Sequence, residues 1–416
     1  MLGIERVGFC IGPLPAPAGG PQPSPGGLGP NAGVPFGHVQ SSFRENLKSY
    51  RESELSLELG FSQFNAKMPI SHWENRANAS RSRPAAIRRL SKRGSDAGCL
   101  AMRTVRRVAR PRAFRLVWRG SMRISELLRT RTPVFSFEFF PPKTAQGEYA
   151  LFQTIEQLRS LEPGFVSVTY GAGGTTREKT VELVTRIRHE IGIEAMAHLT
   201  CVANSRAEIR AILDRLQHGG IENVLALRGD PPRDQPHFQP PPDGFRYASE
   251  LVRFIRAEGF AFCLGGACYP EGHIEAPDLE TDLRHLREKV DAGLDFLISQ
   301  LFFDNRFFFS FEQRARARGI TLPIVPGIMP ITNVAQIERF TQMCGATIPP
   351  ELHARLREAD GNADAVRQIG IEHALQQCRE LLRHGVAGVH FYTLNQSPAT
   401  RAIVERLREE RPWQSS

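Results

Sequence analysis

Nowhere in the 416-residue chain do 18 or more uncharged apolar residues run together, and its first residues lack the basic-then-apolar order of a secretory signal. No membrane partner is therefore expected, and the chain reads as cytoplasmic. Cysteine is sparse and scattered: Cys10, Cys99, Cys201, Cys263, Cys268, Cys344 and Cys378 form no CxxC pair and no CxxC…HxxxH spacing. That excludes a disulfide framework and a structural zinc site, leaving buried reduced thiols. His198, His273 and His390 belong to separate strand units without HxH or HExxH spacing, so no metal is expected. No GxGxxG follows any apolar run; GAGG at 171–174 comes nearest, and a separate dinucleotide-binding fold is not expected.

What is present divides into two unlike parts. The net charge of +9 is unevenly placed: residues 1–121 hold 19 Lys and Arg against 7 Asp and Glu, whereas residues 122–416 hold 34 against 37. The polyanion-binding signature is thus confined to the N-terminal part. Residues 11–37 are rich in Pro and Gly and too poor in bulky residues for a core, so residues 1–121 are expected to be a disordered or non-essential extension. Within it, residues 76–119 carry 14 Lys and Arg against the single acid Asp96. A targeting peptide fits poorly, because the Arg-rich part begins so far into the chain. A nucleic-acid-binding arm beside an inactive barrel is the alternative reading, weakened by the absence of interleaved Phe and Tyr on which bases could stack. Nucleic acid is accordingly not the expected partner.

From Met122 the texture changes, and residues 122–416 are expected to form one domain. Eight short apolar runs follow: 134–139, 165–170, 194–200, 223–230, 262–269, 295–303, 323–328 and 388–394. Most are apolar throughout instead of alternating, as parallel strands covered on both faces are. Amphipathic helices separate them. In the segment 204–220, Ser205 and Glu208 form a capping-box pattern, Ile209, Ile212, Leu213 and Leu216 make one stripe, and Gly219–Gly220 ends the helix. Thr175 and Glu178 repeat the start signal. Eight such units predict an α/β fold, a (β/α)8 TIM barrel, with its longest insertion between the seventh and eighth strands.

Active sites of such barrels lie at the C-terminal ends of the strands. Those ends carry Glu138, Thr169 and Tyr170, His198, Arg228 and Asp230, Tyr269, Gln300, and Tyr392 and Asn395. Glu138 sits between Phe137 and Phe139, so a partly desolvated carboxyl with its pKa raised toward neutrality is expected, suited to a general acid. Asp230, in a polar loop, is expected to stay ionised, dividing the roles of the two carboxyls. Asp282, His285 and Lys289 share one helical face, read either as solvated or as a clamp on a phosphate-bearing ligand.

At these residues the chain resembles the methylenetetrahydrofolate reductase family. FSFEFFPPKT, FVSVTYGAGG, AHLTC, ALRGDPP, YPEGH, ISQLFFD, PIVPGIMPITN and HFYTLN follow the family's strand-end motifs in order, across about residues 122–410. The resemblance implies a barrel that binds FAD without a covalent bond. Such a barrel takes a hydride from NADH or NADPH and reduces 5,10-methylenetetrahydrofolate to 5-methyltetrahydrofolate. It implies Glu138 as the acid that helps protonate the folate N10. FAD contacts are implied at Tyr170, Ala172, His198, Arg228, Gly229, Asp230, Ala248, Tyr269, His273, Ala276, Asp282, His285 and Lys289. Folate or nicotinamide contacts are implied at Thr169, Asp230, Gln300, Gln336, Phe340 and Gln396. The chain departs from the bacterial pattern at Gln396, where Arg is common, and at His285, where Asn is common. A homo-oligomer is implied as well, and a chain ending at Ser416 is expected to lack the regulatory domain and adenosylmethionine inhibition of the animal-type enzymes.

Overall fold

The first strand, β1 (Val134–Phe139), is buried at all six positions, and this double-sided burial recurs around the sheet. The computed structural model describes residues 122–170, 177–230 and 240–414; the expectations for residues 1–121, for Ala172 and for the Thr175 start signal lie outside them. A short helix, α1 (Ile124–Thr130), precedes β1. There follow α2 (Ala145–Arg159), β2 (Phe165–Val168), α3 (Arg177–Arg186) ending in a π turn at Ile187–Ile191, β3 (Ala195–Thr200), α4 (Arg206–His218) and β4 (Asn223–Leu227). The chain continues through α5 (Ala248–Ala257), β5 (Cys263–Cys268), α6 (Leu279–Asp291), β6 (Phe296–Ser299) and α7 (Asn305–Ala317). After the short strands β7 (Ile324–Val325) and β8 (Gly327–Ile328) come α8 (Val334–Cys344), α9 (Pro350–Glu358), α10 (Ala363–His384), β9 (Gly388–Tyr392) and α11 (Pro398–Glu410).

All pairings are parallel, in the order β7-β6-β5-β4-β3-β2-β1-β9-β8. Because β7 and β8 are consecutive pieces of one run, the sheet closes on itself as the expected eight-spoke barrel. The seventh spoke is broken at Pro326, which has no N–H to donate to a ladder. Its carbonyl accepts from His390 N–H at 2.9 Å, and Gly327 N–H donates instead to Ser299 Oγ at 2.9 Å. A side chain at Gly327 would collide with the Ser299 carbonyl and lie 2.6 Å from the Tyr392 ring, so the break requires glycine.

Side chains alternate between two apolar cores. Phe135, Phe137 and Phe139 of β1 point outward and pack with Leu151, Ile155 and Leu158 of α2. The barrel lumen is filled by Val134, Phe165, Met196, Leu225, Cys263, Phe296 and Val325, and Ile124, Leu127 and Leu128 of α1 join this inner core. The N-terminal end of the lumen is thus stoppered by α1. Its Ile124 N–H donates to Asn223 Oδ1 at 2.8 Å, and Met122 N–H to Glu194 Oε2 at 3.2 Å. Helix starts follow the sequence: Ser205 and Glu208 form the capping box, and the four stripe residues of α4 are all buried. The insertion between the seventh and eighth spokes holds α8, α9 and α10, whose apolar faces enclose Leu301, Phe303 and Tyr392 in a third cluster.

Candidate active site

With every strand parallel, the expected strand-end residues all lie at one rim. The alternation that sends Phe137 and Phe139 outward turns Ser136 and Glu138 into the lumen. There Glu138, 3% exposed, meets two imidazoles: Oε2 lies 3.3 Å from His198 Nε2 and 3.4 Å from His390 Nε2. The His198 approach is off the hydrogen-bond direction, so His198 Nε2 is buried without a hydrogen-bond partner; Glu138 Oε1, the other carboxylate oxygen, is buried without one as well.

This geometry corrects one expectation. Burial does push the Glu138 carboxyl up, but the charge of His198, together with the hydrogen bond and charge of His390, outweighs it and holds the group at about 2. The flanking phenylalanines do not raise it, because they are on the other face of the strand. The backbone beneath is fixed by the turn after β9. Thr393 Oγ1 donates to Glu138 C=O at 2.6 Å, and the Asn395 side chain bonds both N–H and C=O of Phe140, at 2.8 and 3.0 Å. Leu394 and Asn395 both take left-handed backbone angles there, φ 52° and 58°, and such strain persists only where surrounding bonds enforce it.

Around the rim, a second group forms on the β4 to α6 side. Gly229 turns the chain after β4 with φ +84°, and a Cβ there would stand 2.5 Å from Val202, which keeps Arg228 and Asp230 close to β3. Arg228 donates two hydrogen bonds to Glu275, at 2.8 and 3.1 Å. Glu275 N–H donates to His273 Nδ1, and the His273 ring stands edge-on to Tyr269 with centroids 4.7 Å apart. Burial lowers the His273 imidazole to about 4. On α6, Asp282 and Lys289 are both buried, so this face is not a solvated one. Burial raises the Asp282 carboxyl to about 6 against the pull of Lys289 and the His273 N–H. Lys289 Nζ donates to Ala267 C=O at 2.6 Å. His285 is only partly buried; its Nδ1 lies 3.7 Å from Glu288, and its Nε2 is buried without a hydrogen-bond partner.

The remaining expected residues are placed less uniformly. Thr169 and Tyr170 are buried after β2, and Ala248 is buried at the first residue of α5, whereas Ala276 N–H donates to His273 C=O in the loop before α6. Gln300 folds back, its Oε1 accepting from Leu301 N–H at 2.9 Å. Phe340 is buried in the third cluster with Leu301 and Tyr392, while Gln336 is half-buried in the first turn of α8. Gln396 is exposed. Tyr392, read from its strand-end position as facing the site, instead donates to Ser299 C=O at 2.7 Å and ties β9 to β6. Three lumen residues were passed over as site candidates: His390, Ser136 and Ser167. The spacing of His390 from Tyr392 and of Ser136 from Glu138 was the available signal, since each pair shares a strand face. A surface groove of about 380 Å³ lies between α8 and α9, and its Glu338 is already paired with His353 and Arg357.

Fold and rim together define a closed (β/α)8 barrel with a buried carboxyl–imidazole cluster in its C-terminal mouth and a polar, charge-paired shelf beside it. The family model described as methylenetetrahydrofolate reductase matches residues 123–408, and the chain belongs to that family. It is 43% identical over 283 residues to "Methylenetetrahydrofolate reductase (NADH) 1" of Arabidopsis thaliana, covering 66% of this chain and 48% of the relative. To "5,10-methylenetetrahydrofolate reductase" of Pectobacterium carotovorum subsp. carotovorum it is 38% identical, covering 65% of this chain and 89% of the relative. The chain spans about half the length of the plant relatives it matches. A solved structure described as an uncharacterized protein from Clostridium thermocellum that binds two copies of 5-methyl-5,6,7,8-tetrahydrofolic acid shares the fold. Its TM-score is 0.51 at 14% identity, over 69% of this chain and 99% of that one.

Proposed function

We propose that the 122–416 domain reduces 5,10-methylenetetrahydrofolate to 5-methyltetrahydrofolate, with NADH or NADPH as reductant and FAD as bound cofactor. The observation that carries this reading is Glu138: a lumen carboxyl at the mouth of a barrel of this family, with one oxygen engaged by imidazoles and the other without a hydrogen-bond partner.

The residues present fit FAD. The Arg228 guanidinium is engaged by the half-exposed carboxylate of Glu275, an anionic contact that phosphate oxygens can replace. His285 Nε2, buried and without a hydrogen-bond partner, offers a further polar contact. Tyr170, Ala172, His198, Arg228, Gly229, Asp230, Ala248, Tyr269, His273, Ala276, Asp282, His285 and Lys289 would hold it. FAD supplies the hydride chemistry when bound. The chain supplies the rest. Thr169, Asp230, Gln300, Gln336, Phe340 and Gln396 would hold folate and nicotinamide. Glu138 delivers a proton to the folate N10, so that the methylene bridge opens to an iminium able to accept hydride. Burial in the lumen excludes bulk water from that proton.

In Glu138→Gln the flavin is expected to remain reducible by NADH, while its reoxidation by methylenetetrahydrofolate slows by about 10²–10⁴, the ordinary worth of a positioned acid. Near-normal folate turnover in this variant would show that Glu138 is not the acid.

A further inference from the structure

His390 is buried completely, and nothing in the proposed chemistry above assigns it a task. Its ring stacks on Phe165, centroids 5.8 Å apart and 16° between planes, which fixes its orientation. Nδ1 lies 2.8 Å from Ser136 Oγ, and Ser136 Oγ lies 3.5 Å from Val389 C=O. The serine hydroxyl can donate to that carbonyl, and in that arrangement its lone pair receives the hydrogen of His390 Nδ1. Nε2 then faces Glu138 Oε2 at 3.4 Å and Ser167 Oγ at 3.5 Å. A bare Nε2 lone pair and a carboxylate cannot face each other in a buried lumen without repulsion. One proton between them removes it.

We propose that His390 and Glu138 hold one shared proton, with His390 the positioning residue that stores it and Ser136 the group that sets the imidazole tautomer. The proposal rests on Glu138 being the acid of the reaction. When substrate nitrogen takes the proton from the pair, an N–H bond forms at the substrate. The His390 Nε2–H bond, or the Glu138 O–H bond to which its proton has passed, breaks. The pair is left with a neutral imidazole and a carboxylate. The Ser167 hydroxyl is then placed to donate to Nε2, and solvent returns the proton after product leaves. The titratable groups facing His390 are Glu138 from β1 and Tyr392 from its own strand, with His198 of β3 across the carboxylate. From β2 come only Ser167 and Phe165, and β8 presents Gly327 at the register position of His390.

The test is the pH profile of flavin reoxidation by methylenetetrahydrofolate in His390→Asn, which retains a donor toward Ser136 but has no titratable nitrogen. The alkaline limb, where the pair loses its proton, is expected to move down by about one pH unit or more, equal to roughly tenfold slower reoxidation above it. Reduction by NADH is expected to keep its pH profile. Ser136→Ala, which frees the tautomer without removing the imidazole, is expected to move the same limb in the same direction by less. It serves on its own if His390→Asn does not fold. An unmoved limb in the folded variants overturns the shared proton, provided Glu138→Gln slows reoxidation by about 10²–10⁴. If Glu138→Gln reoxidises normally, it is the underlying assignment of the acid that has failed.

Discussion

Replacing Asp282 by Asn should change how stability depends on pH. In the ligand-free protein, burial raises this carboxyl from 3.8 to about 6 despite the neighbouring Lys289. A carboxyl whose native pKa is raised favours the folded state while protonated. Its contribution is fully present below about 3.8 and is lost as pH rises through about 6. The change across that window is on the order of 3 kcal/mol. Asn cannot titrate. The stability difference between Asp282→Asn and the parent should therefore grow in favour of the variant by that amount between pH 3.8 and 6, then stay level. Loss of the partner of Lys289 adds an offset, but one that is constant across this window, because a lysine does not titrate there. Urea denaturation of both proteins at half-unit pH intervals measures the slope directly. A difference that is flat between pH 3.8 and 6 would refute the reasoning. The same carboxyl is among the residues proposed to hold FAD, so the variant should gain stability without ligand and lose flavin affinity.

Gly327→Ala should cost about 2–5 kcal/mol, because the new methyl group displaces the Ser299 carbonyl and the Tyr392 ring and breaks the hydrogen bond between them. Denaturant midpoints check this, and a change below about 0.5 kcal/mol would mean the seventh spoke is not closed as described. A chain beginning at Met122 should fold and keep full activity, since α1 and its bonds to Asn223 and Glu194 are retained. An insoluble or inactive product would show that residues 1–121 are needed.

Much of this architecture is readable from local chemistry. The capping box at Ser205 and the four-residue stripe of α4 lie within a dozen residues of one another, and each doubly buried apolar run is itself shorter than that. What was not legible depends on partners remote in sequence. The surroundings of Glu138 were inferred from Phe137 and Phe139, yet strand alternation removes both from the lumen and brings in His198 and His390 across the barrel. Asn395 and Tyr392 were read as facing the site from their strand-end positions, whereas the register shows them tying β9 to Phe140 and Ser299. The break at Pro326 was visible as a proline within an apolar run. That it joins two halves of one spoke becomes clear only when the sheet closes.

The central claim, folate reduction through bound FAD, is tested most directly by anaerobic absorbance of the purified protein during addition of NADH and then 5,10-methylenetetrahydrofolate. The visible flavin band is expected to bleach with NADH, or with NADPH if that is the reductant, and to recover with the folate. A colourless protein that takes up no added FAD, or a reduced flavin that the folate leaves bleached, would contradict that claim.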